Sequence, residues 1–135
     1  MTDWHARRLP NAQRIWGCAR QLPSLRVPAI PEACTHAAYK CYVFVEPQKL
    51  KTGWDRDRIL GEIAARGVPC FSGSCSEVYL ERAFDGTGWR PSERLPVARE
   101  LGETSLMFLV HPTLGEAEID KTCVVLREVM MEAAG

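Results

Sequence analysis

Between residues 71 and 79 the chain reads FSGSCSEVY, a stretch dense in hydroxyls with one glycine and one thiol. Ser72, Ser74 and Tyr79 are side chains that donate hydrogen bonds to hydroxyl or phosphate oxygens, and Gly73 lets backbone approach a ligand closely. His111 stands directly before Pro112 at the end of an apolar run, where a strand's end opens onto a cleft. These five residues are the candidate binding set. A solvated turn with Tyr79 packed inward accounts for the same loop equally well, and a histidine at a strand's end more often bonds a neighbouring backbone group. Cys75 is the thiol of the stretch. No basic residue adjoins it in sequence to lower its pKa, so it reads as inert.

The other reactive types are scattered. The cysteines at 18, 34, 41, 70, 75 and 123 form no CxxC pair, and several fall on apolar faces, as reduced core cysteines do. Cys70 and Cys75 with His36 and His111 are the only set that suggests zinc, and their spacing does not fit a knuckle, so no metal is expected. Seventeen basic residues balance seventeen acidic ones. Residues 1–60 hold ten basic and five acidic, residues 61–135 seven and twelve, and the basic ones stand singly among apolar positions. Nucleic-acid binding, which needs clustered cations interleaved with aromatics, is not expected. No run approaches the ~20 apolar residues of a membrane span, and no apolar stretch follows the charged N-terminus as a signal would. A cytoplasmic protein without membrane contact is the expectation.

The elements that must position these residues centre on Thr104 to Met130. Ser105–Val110 is a short continuous apolar run, which reads as a strand buried on both faces. Pro112 ends its ladder, and Thr113 with Glu116 has the spacing of a capping box. Ile119, Cys123, Leu126 and Met130 then recur on one helical face. Upstream, Ile15, Cys18, Ala19 and Leu22 predict a helix over 11–22 capped by Asn11, and the prolines at 23, 28 and 31 predict a connector without regular hydrogen bonding. Over 36–45, Tyr39, Cys41, Val43 and Val45 alternate with Lys40, Tyr42 and Phe44, as in a strand. Asp55 and Asp57 open a helix with a stripe of Ile59, Leu60, Ile63 and Ala64, Gly67 closes it, and Val68–Phe71 is a short strand. Residues 72–101 lack period apart from a helical turn and a short helix at 96–101.

One domain over residues 1–135 follows, with an opening helix and proline-rich connector (1–31) before an α+β core (32–135). Its expected fold is a small three- to four-stranded, largely antiparallel sheet with helices packed on one face.

Four segments in this order, the "RR…A…L" helix, HAAYKCYVFV, DRDRILGEIAARGVPCFSGSCSEVYLERAF and LPVARELGETSLMFLVHPTL with its final helix, resemble the C-terminal part of the DegT/DnrJ/EryC1/StrS aminotransferases. The resemblance covers roughly Arg7 to Met130 and implies the small domain of a fold-type I enzyme that uses pyridoxal phosphate (PLP) to aminate nucleotide-linked keto sugars, with glutamate as donor. It places the cofactor lysine, the carboxylate facing the pyridine nitrogen and the phosphate donors in an N-terminal large domain that this chain lacks. Lys40, Lys49, Lys51 and Lys121 match no cofactor lysine, so the chain alone is expected to hold no PLP and to be inactive. The small domain would close over the cofactor, supply part of the sugar-facing wall and help form a homodimer. Members often carry a "YPLH"-like pattern where this chain has FSGSCSEVY, and that departure leaves the substrate open. Trp4, Trp16 and the connector are the expected docking surface for the large domain; Arg7 and Arg8 face it or a phosphate, and solvation on the helix surface explains them as well. A stand-alone small-molecule-binding or dimerisation module would share the same fold.

Overall fold

In the computed structural model, which describes residues 2–135, the element order is α1 (Thr2–Ala19), β1 (Leu25–Arg26), β2 (Cys41–Val45), α2 (Arg56–Ala65), β3 (Cys70–Phe71), α3 (Pro96–Thr104), β4 (Ser105–Phe108) and α4 (Glu116–Ala133). The four strands form one sheet in the order β1-β2-β4-β3, with every pair antiparallel. The register sets Cys41 opposite Phe108 and Val43 opposite Leu106, so these four share one face, and all are fully buried. Against that face pack the apolar stripes of α1, α2 and α4, through Ile15 and Ala19, Ile59 and Ile63, and Ile119, Leu126 and Met130. The opposite face carries Tyr42, Phe44, Phe71 and Met107, and among them only Met107 is buried.

Local chemistry fixes the ends. Asp55 caps α2, its carboxylate accepting from the Arg58 amide at 2.7 Å, and Gly67 turns the chain out at φ +75. Arg56, the first residue of α2, donates to the carbonyls of Gly102 (3.0 Å) and Ser105 (3.1 Å), and so ties α2 to the junction of α3 and β4. Among the described residues, no helix is long and apolar enough to cross a membrane.

Several local expectations are corrected. The capping box is displaced: α4 begins at Glu116 behind Gly115, and the Glu118 carboxylate accepts the Gly115 amide at 2.9 Å. Thr113 instead belongs to a turn, closed by the Leu114 amide on the His111 carbonyl at 3.0 Å, and its hydroxyl meets His111 Nδ1. The first helix starts at Thr2 and runs through Pro10, so Asn11 is interior and caps nothing. Proline inside a helix forfeits a hydrogen bond and costs about 3 kcal/mol. Tertiary contacts hold the turns before it: His5 Nε2 meets the His36 carbonyl at 2.9 Å, and Leu9 packs on the core. The connector is not free of ladder structure, since Leu25 and Arg26 pair with Val45 and Phe44 in the gap between two prolines. Tyr39 does not share the buried face of Cys41. Ala38 takes a positive φ of 47, the strand starts only at Cys41, and the Tyr39 ring is 69% exposed. Ala64 is exposed rather than part of the α2 stripe.

Candidate functional site

The loop after β3 folds back across the open face of the sheet onto β2. There the Tyr42 hydroxyl accepts the Ser74 amide at 3.2 Å and lies 3.4 Å from Ser74 Oγ, while Lys40 Nζ donates to Ser74 Oγ at 3.0 Å. Gly73 makes this possible. Its φ is +97, and a Cβ built there would stand 2.5 Å from Tyr42 Cε1 and 3.0 Å from the Tyr42 hydroxyl. On the other side, Ser105 Oγ donates to the Ser72 carbonyl at 2.5 Å. The loop is thus clamped between β2 and β4, and it presents Ser72 and Ser74 to a cleft of about 440 Å³ that also takes in Ser76, Glu77, Glu81 and Arg82. Hydroxyls with a carboxylate and a guanidinium beside them suit hydrogen bonding to a polyhydroxylated or anionic ligand.

Tyr79 has a different part. Its hydroxyl donates to Glu77 Oε1 at 2.6 Å and accepts the Leu95 amide at 2.9 Å, so both roles are taken within the loop. Arg94 pairs with the same carboxylate and, together with the Tyr79 hydroxyl, pulls Glu77 down to about 2. The Tyr79 hydroxyl is pushed above its ordinary value by desolvation first and by Glu77 second. Arg90 donates to the carbonyls of Tyr79, Leu80 and Glu81 at 2.9, 3.0 and 3.2 Å and staples the two short turns at 78–80 and 82–84. Residues 72–95 therefore have defined structure without helical or strand period. The ordering comes from arginine–carbonyl bonds, which no periodicity reveals.

His111 is not brought to this cleft. It follows the far end of β4, six residues beyond Ser105 and so roughly 20 Å along an extended chain. Its ring lies tilted at 58° to that of Trp4 with centroids 6.2 Å apart. Cys75 Sγ donates to Glu81 Oε1 at 3.4 Å, and that carboxylate, with desolvation, raises the thiol's pKa, which opposes thiolate formation. Burial pushes Cys41 and Cys70 up to about 12. Among the described residues, no three His, Cys, Asp or Glu side chains converge to hold a metal ion.

Lys40 and Tyr42, which fix Ser74, are the residues that sequence reasoning passed over. Their alternation with Cys41 and Val43 already put both on the face opposite the core, which was the available signal.

The four lysines do not fit a Schiff-base role for PLP. Lys40 is bound to Ser74, Lys49 to Glu46 at 2.6 Å, Lys51 to the Glu132 carbonyl at 3.0 Å and Lys121 to the Gly67 carbonyl at 3.1 Å. Each ammonium has a local partner, and Lys121, which shares a cavity of about 440 Å³ with Glu118, is held on the Gly67 carbonyl at its rim.

Neither a protein-family model nor a curated protein sequence matches the chain significantly. Solved structures do. The aminotransferase of Psychrobacter cryohalolentis is 53% identical and superposes with a TM-score of 0.92 over 98% of this chain and 35% of its own. A DegT DnrJ EryC1 StrS aminotransferase of Brucella abortus is 24% identical, with a TM-score of 0.74 over 93% of this chain and 31% of its own. A GDP-4-keto-6-deoxymannose-3-dehydratase, solved with a trapped PLP-glutamate geminal diamine, is 18% identical with a TM-score of 0.69 over 93% of this chain and 32% of its own. At these two lower identities the likeness is one of fold. The chain spans about a third of the length of each of these three structures.

Proposed function

Because this chain resembles, over nearly all of its own length, a domain-sized part of the DegT/DnrJ/EryC1/StrS-type aminotransferases, we propose that it is the C-terminal small domain of such an enzyme. Residues 1–135 form that one domain. A large domain preceding it holds PLP, and the complete enzyme moves an amino group from glutamate to a keto sugar carried on a nucleotide. It acts as a homodimer in the cytoplasm. This domain closes over the cofactor site and lends part of the substrate wall. Ser72 and Ser74 offer hydroxyls to the sugar, Gly73 holds the loop against Tyr42, Tyr79 braces the loop from behind, and His111 lies at the far end of β4. By itself the domain does not transaminate.

The observation that carries this reading is the unequal coverage: 98% of this chain against 35% of an aminotransferase that is 53% identical to it.

The test is a graft in which this chain replaces the matching third of the Psychrobacter cryohalolentis enzyme. The graft is expected to load PLP and to accept an amino group from the donor of the parent enzyme. A graft that folds and loads PLP but does not react refutes the assignment. So does stoichiometric trapping of PLP by borohydride on a single lysine of the isolated chain, read by peptide mass spectrometry.

A further inference from the structure

We propose that the exposed Trp4 and Tyr39, with the half-buried Arg8 between them, form the surface on which the remainder of the aminotransferase docks, through a carboxylate seated on Arg8; this rests on the function proposed above. Arg8 lies one helical turn beyond Trp4 on α1. Its guanidinium carbon is 5.7 Å from the Trp4 ring centroid and 5.5 Å from that of Tyr39. Among the described residues, it donates no hydrogen bond and meets no carboxylate, and its Nε is buried without a partner. Seven other arginines each pair with a carboxylate. A guanidinium packed against aromatic rings keeps its donors in its own plane, where a carboxylate binds it as a fork.

The surroundings favour a negatively charged partner. Among the described residues Arg7, beside Arg8, donates only to the Pro112 carbonyl at 3.5 Å, and His111 flanks Trp4. Asp3, in the first turn of the same helix, forms no ion pair among the described residues. The aromatic rings are displayed rather than packed. Trp4 is 57% exposed and Tyr39 69%, and the positive φ of 47 at Ala38 turns the chain so that Tyr39 stands off the sheet. Trp16, in contrast, is 3% exposed, and its indole is spent on the Tyr42 carbonyl at 3.0 Å, which removes it from any docking surface.

A small ligand needs a concavity, and the cavities of about 910, 540 and 440 Å³ are lined by other residues, so the patch suits a protein surface. Tryptophan, tyrosine and arginine are the residues that dominate such interfaces. Since the chain matches 35% of the Psychrobacter enzyme, the other two thirds of the aminotransferase is the body expected to cover it.

The experiment compares amide hydrogen exchange at residues 4–8 and 38–40 in the isolated chain and in the graft. The graft should protect both segments. Arg8→Glu and, separately, Trp4→Ala should each raise their exchange about 30-fold in the graft, the loss expected of an interface hot spot. Neither should shift the unfolding midpoint of the isolated chain, which shows that the variants fold. A reactive graft in which these segments exchange as in the isolated chain, or in which both variants change nothing, overturns this docking surface alone. A graft that loads PLP and never reacts sinks the function proposed above, and the named occupant with it. An isolated chain that sediments as a dimer and becomes a monomer with Arg8→Glu makes the occupant a second copy and also overturns the proposal.

Discussion

Replacing Gly73 with alanine tests the clamp that holds the candidate site. Two costs add. The backbone at φ +97 is one that a residue with a Cβ adopts only under strain, about 1–3 kcal/mol. The new methyl also meets the Tyr42 ring at 2.5 Å, so the ring must retreat by about 1 Å to reach ordinary contact. That ring is tethered through its hydroxyl to the Ser74 amide and Oγ, and giving up one such bond costs about 1 kcal/mol. The sum is about 2–4 kcal/mol, read by urea unfolding, with faster amide exchange at Ser74 locating the damage. In a Tyr42→Ala background the steric share disappears and only the backbone share remains, so the two substitutions should couple by about 1 kcal/mol. Wild-type stability in Gly73→Ala, or the same penalty with and without Tyr42, would refute the clamp.

Acid should loosen the loop through Glu77. Its carboxyl is held near 2 against an ordinary value of 4.5, chiefly by Arg94 and then by the Tyr79 hydroxyl. A folded value below the unfolded one means the stabilisation is complete above about pH 4.5 and is lost as the pH falls towards 2. Protection of the Leu95 amide, taken relative to its intrinsic exchange rate at each pH, should fall across that window, and Glu77→Gln should abolish the dependence; an unaltered profile in that variant excludes Glu77 as its source. The displaced helix cap is separable by mutation. Glu118→Ala should cost about 0.5–1 kcal/mol in thermal unfolding, and Glu116→Ala should cost less, whereas the reverse order would restore Thr113 and Glu116 as the cap. Thiol labelling at neutral pH should modify exposed Cys34 ahead of Cys75, whose Glu81 partner holds it protonated, and leave Cys41 and Cys70 untouched until the chain unfolds. Rapid modification of Cys41 in the folded protein would contradict its burial.

What the sequence determined by itself was whatever local period and capping chemistry decide. The apolar run at 105–108 is a strand because a short uninterrupted run must be covered on both faces, and all four residues are buried. The stripes of α2 and α4 followed from their spacing, and Asp55 and Gly67 marked the ends of α2 by the bonds and φ that those residue types favour. The antiparallel α+β architecture follows from that order of elements. The tertiary structure alone decided where forces act between residues far apart in the chain. The first helix survives Pro10 because His5 and Leu9 find partners elsewhere in the fold, a gain invisible to propensity. Two residues between prolines become a strand only because β2 offers them an edge. The candidate loop owes its shape to Tyr42, more than thirty positions upstream of Ser74, and the same sheet that joins those two sets His111 at its opposite end. Spacing along the chain says which side chains share a face of one element; only packing of the elements says which faces meet.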